Sequence, residues 1–313
     1  MITIENYTPR LRQEWDDLVA DSRNATFLFN RDYMDYHADR FTDFSLIARD
    51  RHGKLFAALP ANREGDTVVS HRGLTYGGWI LPRRRCDVLD MLEIWDEMSN
   101  FLRANKIKKL IYKPVPHIYH SNPAEEDIYA IFRAGGHLST SLISSVVDLR
   151  MPLSFDQGVR QRSRKVLNSD VIFSESNDWS GFWDVLCRLL SSRYGSKPVH
   201  SLNEIKLLRN HFPEQIKLYT AILDGEIIAG VVLYVTPTVV HSQYAAASER
   251  GKELSALHGL YQWLIDRYKN SHQWFDFGTS NEDQGRTVNE GLLRQKCSYG
   301  GRGVVYNTFT IEL

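Results

Sequence analysis

The chain alternates between short segments with a two-residue apolar period and longer segments in which apolar residues recur every three or four positions. The first period is typical of strands and the second of amphipathic helices. In the first half the clearest helix is Asp87–Asn105, and its first residue, Asp87, is suited to be the N-cap. The same patterns predict strands or extended segments at Ile2–Tyr7, Phe44–Arg49, Lys54–Pro60, Thr67–Ser70, Leu74–Ile80, Ile107–Lys113 and Leu142–Leu149, and helices at Leu11–Ser22, Asn30–Phe41 and Ala124–Ala134.

The second half repeats this order of elements. Helices are predicted at Trp179–Ser192, Leu202–His211, Ala256–Lys269 and Thr287–Cys297, and strands at Lys217–Leu223, Glu226–Val235, Val239–Ala247, Trp274–Gly278 and Val304–Leu313. Glycines mark matching points, since Gly53 and Gly225 lie in hairpin turns while Gly135 and Gly300 follow the last helix of each half. Their offsets of about 165 and 172 residues predict duplication of one unit of about 150 residues. Two unrelated α+β domains with the same element order remain the alternative.

This element order predicts a mixed α/β (α+β) architecture with two tandem domains, residues 1–152 and 153–313. In each domain a mixed, mostly antiparallel sheet is expected to be flanked by helices. A ligand cleft is expected where neighbouring strands of such a sheet part.

Composition narrows the class of protein. The 313 residues are 42% apolar and 24% charged, which is typical of a folded globular chain. Lysine and arginine total 38, as do aspartate and glutamate, and the zero net charge argues against DNA binding driven by bulk charge. No apolar run approaches the about 20 residues of a membrane span, and the N-terminus lacks a signal-peptide pattern. Three widely spaced cysteines without a CxxC pair favour a reducing cytoplasm and no structural zinc or disulfide framework.

Several local phrases, in their order and spacing, resemble the GNAT acyltransferase superfamily in its doubled form, and more narrowly the FemAB family and its acetyltransferase-like relatives. The phrases are Leu74–Gly78 and Lys113–Tyr119 in the first half, and Phe275–Ser280, Gly291–Lys296 and Gly300-Gly301 in the second. The resemblance runs over almost the whole chain. It implies a transferase that moves an acyl or aminoacyl group onto an amine.

The resemblance also implies the substrates. FemAB enzymes take aminoacyl-tRNA and build peptidoglycan cross-bridges, whereas their relatives use acyl-CoA or other donors. The chain lacks the long, charged heptad insertion that serves as a tRNA arm in many FemAB enzymes, so acyl-CoA is the expected cosubstrate and tRNA the alternative. The expected acceptor is an amino sugar, a peptide or a cell-wall precursor. A non-catalytic relative that binds a ligand through the same cleft is the remaining alternative.

The donor is expected in the second domain. GNAT proteins hold the CoA pyrophosphate with a glycine-rich loop before a long helix, and here that junction reads Ser248–Ala256. It offers one glycine and two cations, which makes Arg250, Gly251 and Lys252 the candidate phosphate contacts, although two glutamates lie among them. The first half has no such loop, and it is expected to be degenerate, serving as a scaffold or as the acceptor side.

Candidate catalytic residues lie on the strand Val239–Ala247, which would run beside the acyl carbonyl in this fold. Strict alternation predicts that His241 and Gln243 share one face and that Ser242 and Tyr244 share the other. His241 could act as a base near neutral pH, and Tyr244 could donate to the acceptor or protonate the leaving group. A hydrogen-bonded strand residue without a catalytic role is the alternative for both.

Three more residues are candidates in the second half. Lys296 resembles a lysine that in FemAB enzymes is placed to stabilise charge at the transferred group, although a lysine at a helix C-terminus also favours the helix dipole. Asp276 and Ser280 follow an apolar strand, where donor contacts are expected. Capping of the next loop is the alternative for Asp276.

The candidate acceptor contacts lie on several segments that are rich in glycine, proline or arginine. They are Tyr76, Gly77, Lys113, His117, Tyr119, Arg160, Arg164, Arg193 and Tyr194. Arg160 and Arg164 would share one helix face and could bind phosphate, or they could form a solvated surface. His117 and His120 lack the further ligands of a metal site, so no metal is expected.

Overall fold

The computed structural model describes residues 2–313, with the side chains of residues 193 and 194 excepted. The strands are β1 (Thr3–Asn6), β2 (Leu46–Arg49), β3 (Leu55–Leu59), β4 (Asn62–Glu64), β5 (Thr67–Val69), β6 (Lys109–Tyr112), β7 (His137–Asp148), β8 (Ile172–Ser176), β9 (Ile216–Leu223), β10 (Glu226–Val235), β11 (Val239–Ala247), β12 (Trp274–Thr279), β13 (Asn281–Glu282), β14 (Thr287–Val288) and β15 (Arg302–Glu312). The α-helices are α1 (Arg12–Ala20), α2 (Arg31–Met34), α3 (Val88–Ala104), α4 (Glu126–Arg133), α5 (Gln157–Leu167), α6 (Trp179–Tyr194), α7 (Leu202–His211), α8 (Glu249–Glu253), α9 (Ala256–Tyr268) and α10 (Glu290–Ser298).

The chain divides into two compact units. Unit 1 comprises Met1–Leu142 and Val305–Leu313, and unit 2 comprises Ile143–Val304. The chain passes from one unit to the other within β7 and returns within β15. The predicted pair of GNAT-like domains with a boundary after residue 152 stays a prediction.

Unit 1 is built on a three-stranded sheet, on four neighbouring strands at one end of the ten-stranded sheet, and on helix α3. Strands β1, β2 and β3 form an antiparallel sheet, while β4, β5, β6 and β15 lie next to one another, with β5 and β6 parallel. Helix α3 begins at a capping box in which the side chains of Asp87 and Asp90 accept each other's backbone N–H. Its apolar face, including Trp95 and Met98, is buried in the core of this unit. The predicted helix and its cap are confirmed.

Unit 2 is a mixed sheet with helices on both faces. Its strands follow the order β7, β12, β11, β10, β9, β8, and all neighbouring pairs are antiparallel except β11 and β12. On one face α9 buries Leu260 and Leu264 against Val231. On the other face α6 lays the Phe182 ring over Gly230, where an added Cβ would come within 2.4 Å of that ring. A side chain at position 230 would therefore push α6 away from the sheet.

The parallel pairing of β11 with β12 is short, and this opens a split in the sheet. The pairing ends at His241 opposite Asp276. Beyond that point β11 runs on to Ala247 against β10, while β12 turns to pair Thr279 with Ser144 of β7. We call the region between these two strand ends the strand split, and a ligand cleft there stays a prediction.

Two segments differ from the sequence prediction. The predicted helix Thr287–Cys297 begins only at Glu290, because Asn289 caps it and the preceding residues Thr287–Val288 form β14. The segment Asn30–Phe41 is broken after Met34 into a short 3-10 turn. In both cases local capping and tertiary contacts override a helical apolar period.

Candidate active site

A buried histidine–aspartate pair lies at the start of the strand split. His241 Nδ1 is 2.9 Å from Asp276 Oδ2, and the Asp276 side chain is 0% exposed whereas that of His241 is 15% exposed. The carboxylate accepts the Nδ1 proton, so the neutral ring carries its lone pair on Nε2. Nε2 makes no hydrogen bond to the described part of the chain. A carboxylate that solvent does not reach therefore orients the His241 ring, and the role of His241 as a base stays a prediction.

The remaining oxygen of Asp276 is held by two donors. Oδ1 accepts the hydroxyl of Ser144 and, at 2.8 Å, the backbone N–H of Gly278. Gly278 has a φ of +77°, which a side chain would disfavour, and this turn aims its N–H at the carboxylate. These contacts place Asp276 behind His241, and the predicted contact of Asp276 with the donor stays a prediction.

Lys296 lies beside this pair and fastens the end of β12. Its Nζ donates to the carbonyl oxygens of Gly278 at 2.8 Å and Thr279 at 2.7 Å. Burial lowers the pKa of Lys296 to about 8, and the nearby Asp276 charge acts in the opposite direction. Lys296 therefore stabilises the backbone turn that supplies the Gly278 N–H. Its predicted contact with the transferred group stays a prediction.

A β-bulge at Gln243 changes the faces of β11. Val232 pairs with Tyr244 and Leu233 with Ser242, so Gln243 is the extra residue. Ser242 Oγ is 3.0 Å from the Tyr261 hydroxyl of α9, whereas the Tyr244 ring packs 5.3 Å from the ring of Trp183 in α6.

The bulge overturns the expected alternation. Ser242 and Tyr244 do not share a face, because the extra residue shifts the pleat by one position after Gln243. Val231 packs under α9, so its neighbour Val232 and the residue paired with it, Tyr244, lie on the opposite face, that of α6. Phe275 and Phe277 also pack under α9, so Asp276 between them, and His241 paired with it, lie on the α6 face as well.

Tyr244 has a histidine partner of its own. Its hydroxyl is 2.6 Å from His200 Nδ1 and 3.2 Å from the backbone N–H of His200, which donates to it. His200 is 5% exposed. Two candidate proton-transfer groups, His241 and Tyr244, are therefore brought to one face of the sheet.

The predicted phosphate contacts lie on α8. Gly251 is packed against β10, since an added Cβ would come within 1.9 Å of the Ile228 carbonyl oxygen. Arg250 pairs with Asp224 at 2.5 Å and Lys252 with Glu249 at 2.6 Å. Such exposed pairs are worth at most about 1 kcal/mol, so a phosphate could displace either carboxylate. Phosphate binding by Arg250 and Lys252 stays a prediction, whereas Gly251 has a packing reason to be glycine.

Ser280 follows the strand split but faces inward. It is 2% exposed, its N–H donates to the Ile143 carbonyl at 3.1 Å and its carbonyl accepts from the Asn289 N–H at 2.8 Å. Its hydroxyl has no hydrogen-bond partner in the described part of the chain. Donor binding by Ser280 stays a prediction.

Four of the predicted acceptor residues come together inside unit 1. Tyr76 is 3% exposed, donates to Thr26 Oγ1 at 3.1 Å and packs against the Tyr119 ring at 4.6 Å. Gly77 donates its N–H to the Lys113 carbonyl at 2.7 Å, and an added Cβ would lie 2.2 Å from the Ser70 carbonyl oxygen. The segment Leu74–Gly78 thus fills the space where β5 and β6 part.

Lys113 is tied to the same segment. Its Nζ donates to the Leu74 carbonyl at 2.6 Å, and its N–H donates to Ser70 Oγ at 2.7 Å. Burial, with a smaller contribution from Arg72, lowers the pKa of Lys113 to about 7. The four residues thus make packing and hydrogen-bond contacts within unit 1. Acceptor contact by them stays a prediction.

The other acceptor candidates are more exposed. His117 lies on a 3-10 turn, and Arg160 and Arg164 lie on the outer face of α5. Neither arginine has an ion pair within the residues that the structure describes. The side chains of Arg193 and Tyr194 lie outside the described residues.

Sequence reasoning missed Ser144 and His200. Ser144 looked like one of several serines in a strand, and His200 lies in a loop without a motif. A short parallel pairing places Asp276 beside His241. Asp276 is paired with Val146 of β7, and Ser144, two residues earlier on the same strand, donates its hydroxyl to the carboxylate.

Comparison with known families finds one match, in the second half of the chain. Residues 154–284, which include His241 and Asp276, match the model of the acetyltransferase (GNAT) domain. This segment of the chain therefore has a GNAT-like fold. No curated protein is significantly similar to its sequence.

Solved structures extend the likeness over the whole chain. FemX aligns with a TM-score of 0.69 at 12% identity, over 99% of this chain and 97% of that one. The C-terminal domain of a putative lysylphosphatidylglycerol synthetase from Agrobacterium fabrum aligns with a TM-score of 0.60 at 12% identity, over 97% and 92%. A tandem GNAT protein from the clavulanic acid biosynthesis pathway aligns with a TM-score of 0.52 at 13% identity, over 100% and 98%. These likenesses show the fold, and the family match over residues 154–284 supports an enzyme of the acyltransferase class.

Among the described residues, no cluster of three or more His, Cys, Asp or Glu could hold a metal ion. Within the same part of the chain, no helix combines the length and apolar character needed to cross a bilayer. The cytoplasmic location stays a prediction.

Proposed function

We propose that this protein is an N-acyltransferase that moves an acyl group from acyl-CoA to an amine, with His241 of unit 2 as the general base. One observation carries the proposal: His241, oriented by the buried Asp276, lies where β11 and β12 part. The GNAT family match over this region supports acyl-CoA as the donor. The acceptor class is that of the sequence prediction, an amino sugar, a peptide or a cell-wall precursor.

The reaction needs proton movement at two atoms. The amine nitrogen forms a bond to the acyl carbon, the bond from that carbon to sulfur breaks, and His241 Nε2 takes the proton that the nitrogen loses. Tyr244, on the same face, returns a proton to the leaving thiolate. Because the amine attacks the acyl carbon directly, the proposed reaction needs no covalent intermediate on the enzyme and no nucleophilic side chain.

The oxyanion that forms at the acyl oxygen needs donors. Beyond His241, β11 is paired only on its β10 side, so the backbone groups on its other edge face the strand split without a partner strand in the described chain. Backbone N–H groups at such an edge suit both the oxyanion and the amide groups of an extended donor.

A second donor deserves the same test. The likeness to FemX, together with the resemblance of the sequence phrases to FemAB enzymes, favours aminoacyl-tRNA as the alternative donor. The two donors differ in how many phosphates the protein must neutralise. Binding of tRNA should weaken steeply with added salt, whereas binding of CoA, with few phosphates, should weaken little.

Calorimetric titration of the purified protein distinguishes these donors. We would titrate acetyl-CoA, a long-chain acyl-CoA, free CoA and aminoacyl-tRNA at two salt concentrations. Micromolar affinity for an acyl-CoA, about −8 kcal/mol, with a shallow salt dependence supports the proposal. Binding of tRNA alone would contradict acyl-CoA as the donor, and binding of neither would contradict the acyltransferase assignment.

A further inference from the structure

We propose that Ser144 is a positioning residue of the candidate active site: its hydroxyl fixes the Asp276 carboxylate so that Oδ2 holds His241 as the Nδ1–H tautomer. The inference rests on the proposed role of His241 as the base, and it names a residue two strands away from β11. Ser144 belongs to β7, on the far side of β12.

The two oxygens of the Asp276 carboxylate accept hydrogen bonds from different donors. Oδ1 accepts from Ser144 Oγ and from the Gly278 N–H at 2.8 Å, and Oδ2 accepts from His241 Nδ1. The two donors lie on different elements, β7 and the turn at the end of β12. Together they fix both the rotation of the carboxylate and its in-plane direction.

Because the site of the Ser144–Asp276 contact is buried, loss of the Ser144 hydroxyl would leave the carboxylate without a replacement donor. Ser144 and Asp276 are both 0% exposed, so water does not replace a lost donor. A buried carboxylate that loses a hydrogen bond becomes poorly satisfied and reorients toward other donors. Lys296 is a cation that interacts electrostatically with Asp276, and its ammonium donates to the carbonyls of Gly278 and Thr279. Rotation of Asp276 toward that ammonium would take Oδ2 away from His241.

The consequence for His241 is a change of tautomer. Which ring nitrogen carries the proton is set by the hydrogen bond that the other nitrogen makes. With Oδ2 in place the proton stays on Nδ1 and Nε2 presents its lone pair to the strand split. Without that acceptor the ring is free to protonate Nε2, and such a ring cannot take a proton from the amine.

Nitrogen NMR of the histidine rings measures this directly. Protein labelled with 15N-histidine would be recorded at about pH 8.5, where an ordinary imidazole is neutral. The His241 signals are identified by their loss in His241→Gln. Wild type should show the proton on Nδ1. Ser144→Ala should show a new population with the proton on Nε2, and Ser144→Thr, which keeps a hydroxyl, should restore the wild-type pattern.

Ser145→Ala is the matched control. Ser145 is the adjacent residue of β7 and is 1% exposed, but its hydroxyl has no hydrogen-bond partner in the described chain. Its removal should leave the His241 tautomer unchanged. Thermal unfolding of each variant checks that the fold is kept, and if Ser144→Ala does not fold, Ser144→Thr against Ser144→Val repeats the comparison at constant volume.

Two results would overturn the inference. One is a wild-type His241 pattern in Ser144→Ala, and the other is an equal change in Ser145→Ala. The readout needs no substrate, so it separates this inference from the proposed function. A shifted tautomer in Ser144→Ala combined with full acyl transfer by His241→Gln would leave Ser144 as a positioning residue and remove His241 as the base.

Discussion

Replacing Lys113 by methionine should remove a pH dependence from the stability of the protein. Lys113 Nζ donates to a carbonyl oxygen, and no carboxylate pairs with it among the described residues. Burial lowers its pKa from 10.5 to about 7. The unfolded chain therefore binds more protons than the folded chain between about pH 7 and pH 10.5, and stability rises with pH across that window.

The magnitude follows from the two pKa values. One pKa unit corresponds to about 1.4 kcal/mol. A lysine with a folded pKa of about 7 and an unfolded pKa of 10.5 gives a rise in the free energy of unfolding of about 2 kcal/mol between pH 7 and pH 9. Other groups titrate in this range, so the quantity to compare is the difference between wild type and variant at each pH.

Urea unfolding at pH 7, 8 and 9 measures this difference. The free energy of unfolding of wild type minus that of Lys113→Met should increase by about 2 kcal/mol from pH 7 to pH 9. Lys165→Met removes an exposed lysine of α5 and is the control. A pH dependence of Lys113→Met equal to that of Lys165→Met would refute the reasoning.

Three shorter predictions test other contacts. Gly77→Ala should lower the free energy of unfolding by about 1–3 kcal/mol, because the new Cβ would lie 2.2 Å from the Ser70 carbonyl oxygen. Gly158→Ala in α5, where the nearest atom is 3.5 Å away, should instead raise it by up to about 1 kcal/mol, and equal effects in urea unfolding would contradict the packing argument. Gly251→Ala should destabilise through its approach to the Ile228 carbonyl oxygen even without donor, and a variant of wild-type stability but weaker donor binding would assign Gly251 to the phosphates instead. Burial raises the pKa of the Cys86 thiol to about 12, so mass spectrometry after treatment with a thiol reagent should find it modified only in unfolded protein.

The helices and strands could be predicted from the sequence more accurately than the pairing of the strands within the sheets. Helix α3 could be predicted because its apolar face and its Asp87 cap are local features. The return of Val305–Leu313 to unit 1 could not, since a strand pattern does not say which strand lies beside it. The sequence named Gly77 as an acceptor candidate, but it could not show the close approach to the Ser70 carbonyl oxygen, which comes from another segment of the chain.

The candidate site shows the same division. His241 and Asp276 were both named from local patterns, but the sequence did not pair them, because they are 35 residues apart and meet through a parallel register. The bulge at Gln243 was invisible because an extra residue leaves the alternation of residue types intact. Ser144 was missed because its importance depends on its hydrogen bond to the Asp276 carboxylate, which is 132 residues away in sequence.

The central claim is that His241 is the base of an acyl transfer, and turnover tests it most directly. Release of CoA thiol would be followed with saturating acyl-CoA and a panel of amino sugars and peptides, for wild type, His241→Gln and the exposed-histidine control His211→Gln. The account predicts that His241→Gln loses about 10²–10⁴-fold in kcat while its donor Kd is unchanged, and that His211→Gln matches wild type. Transfer by His241→Gln at the wild-type rate would contradict it.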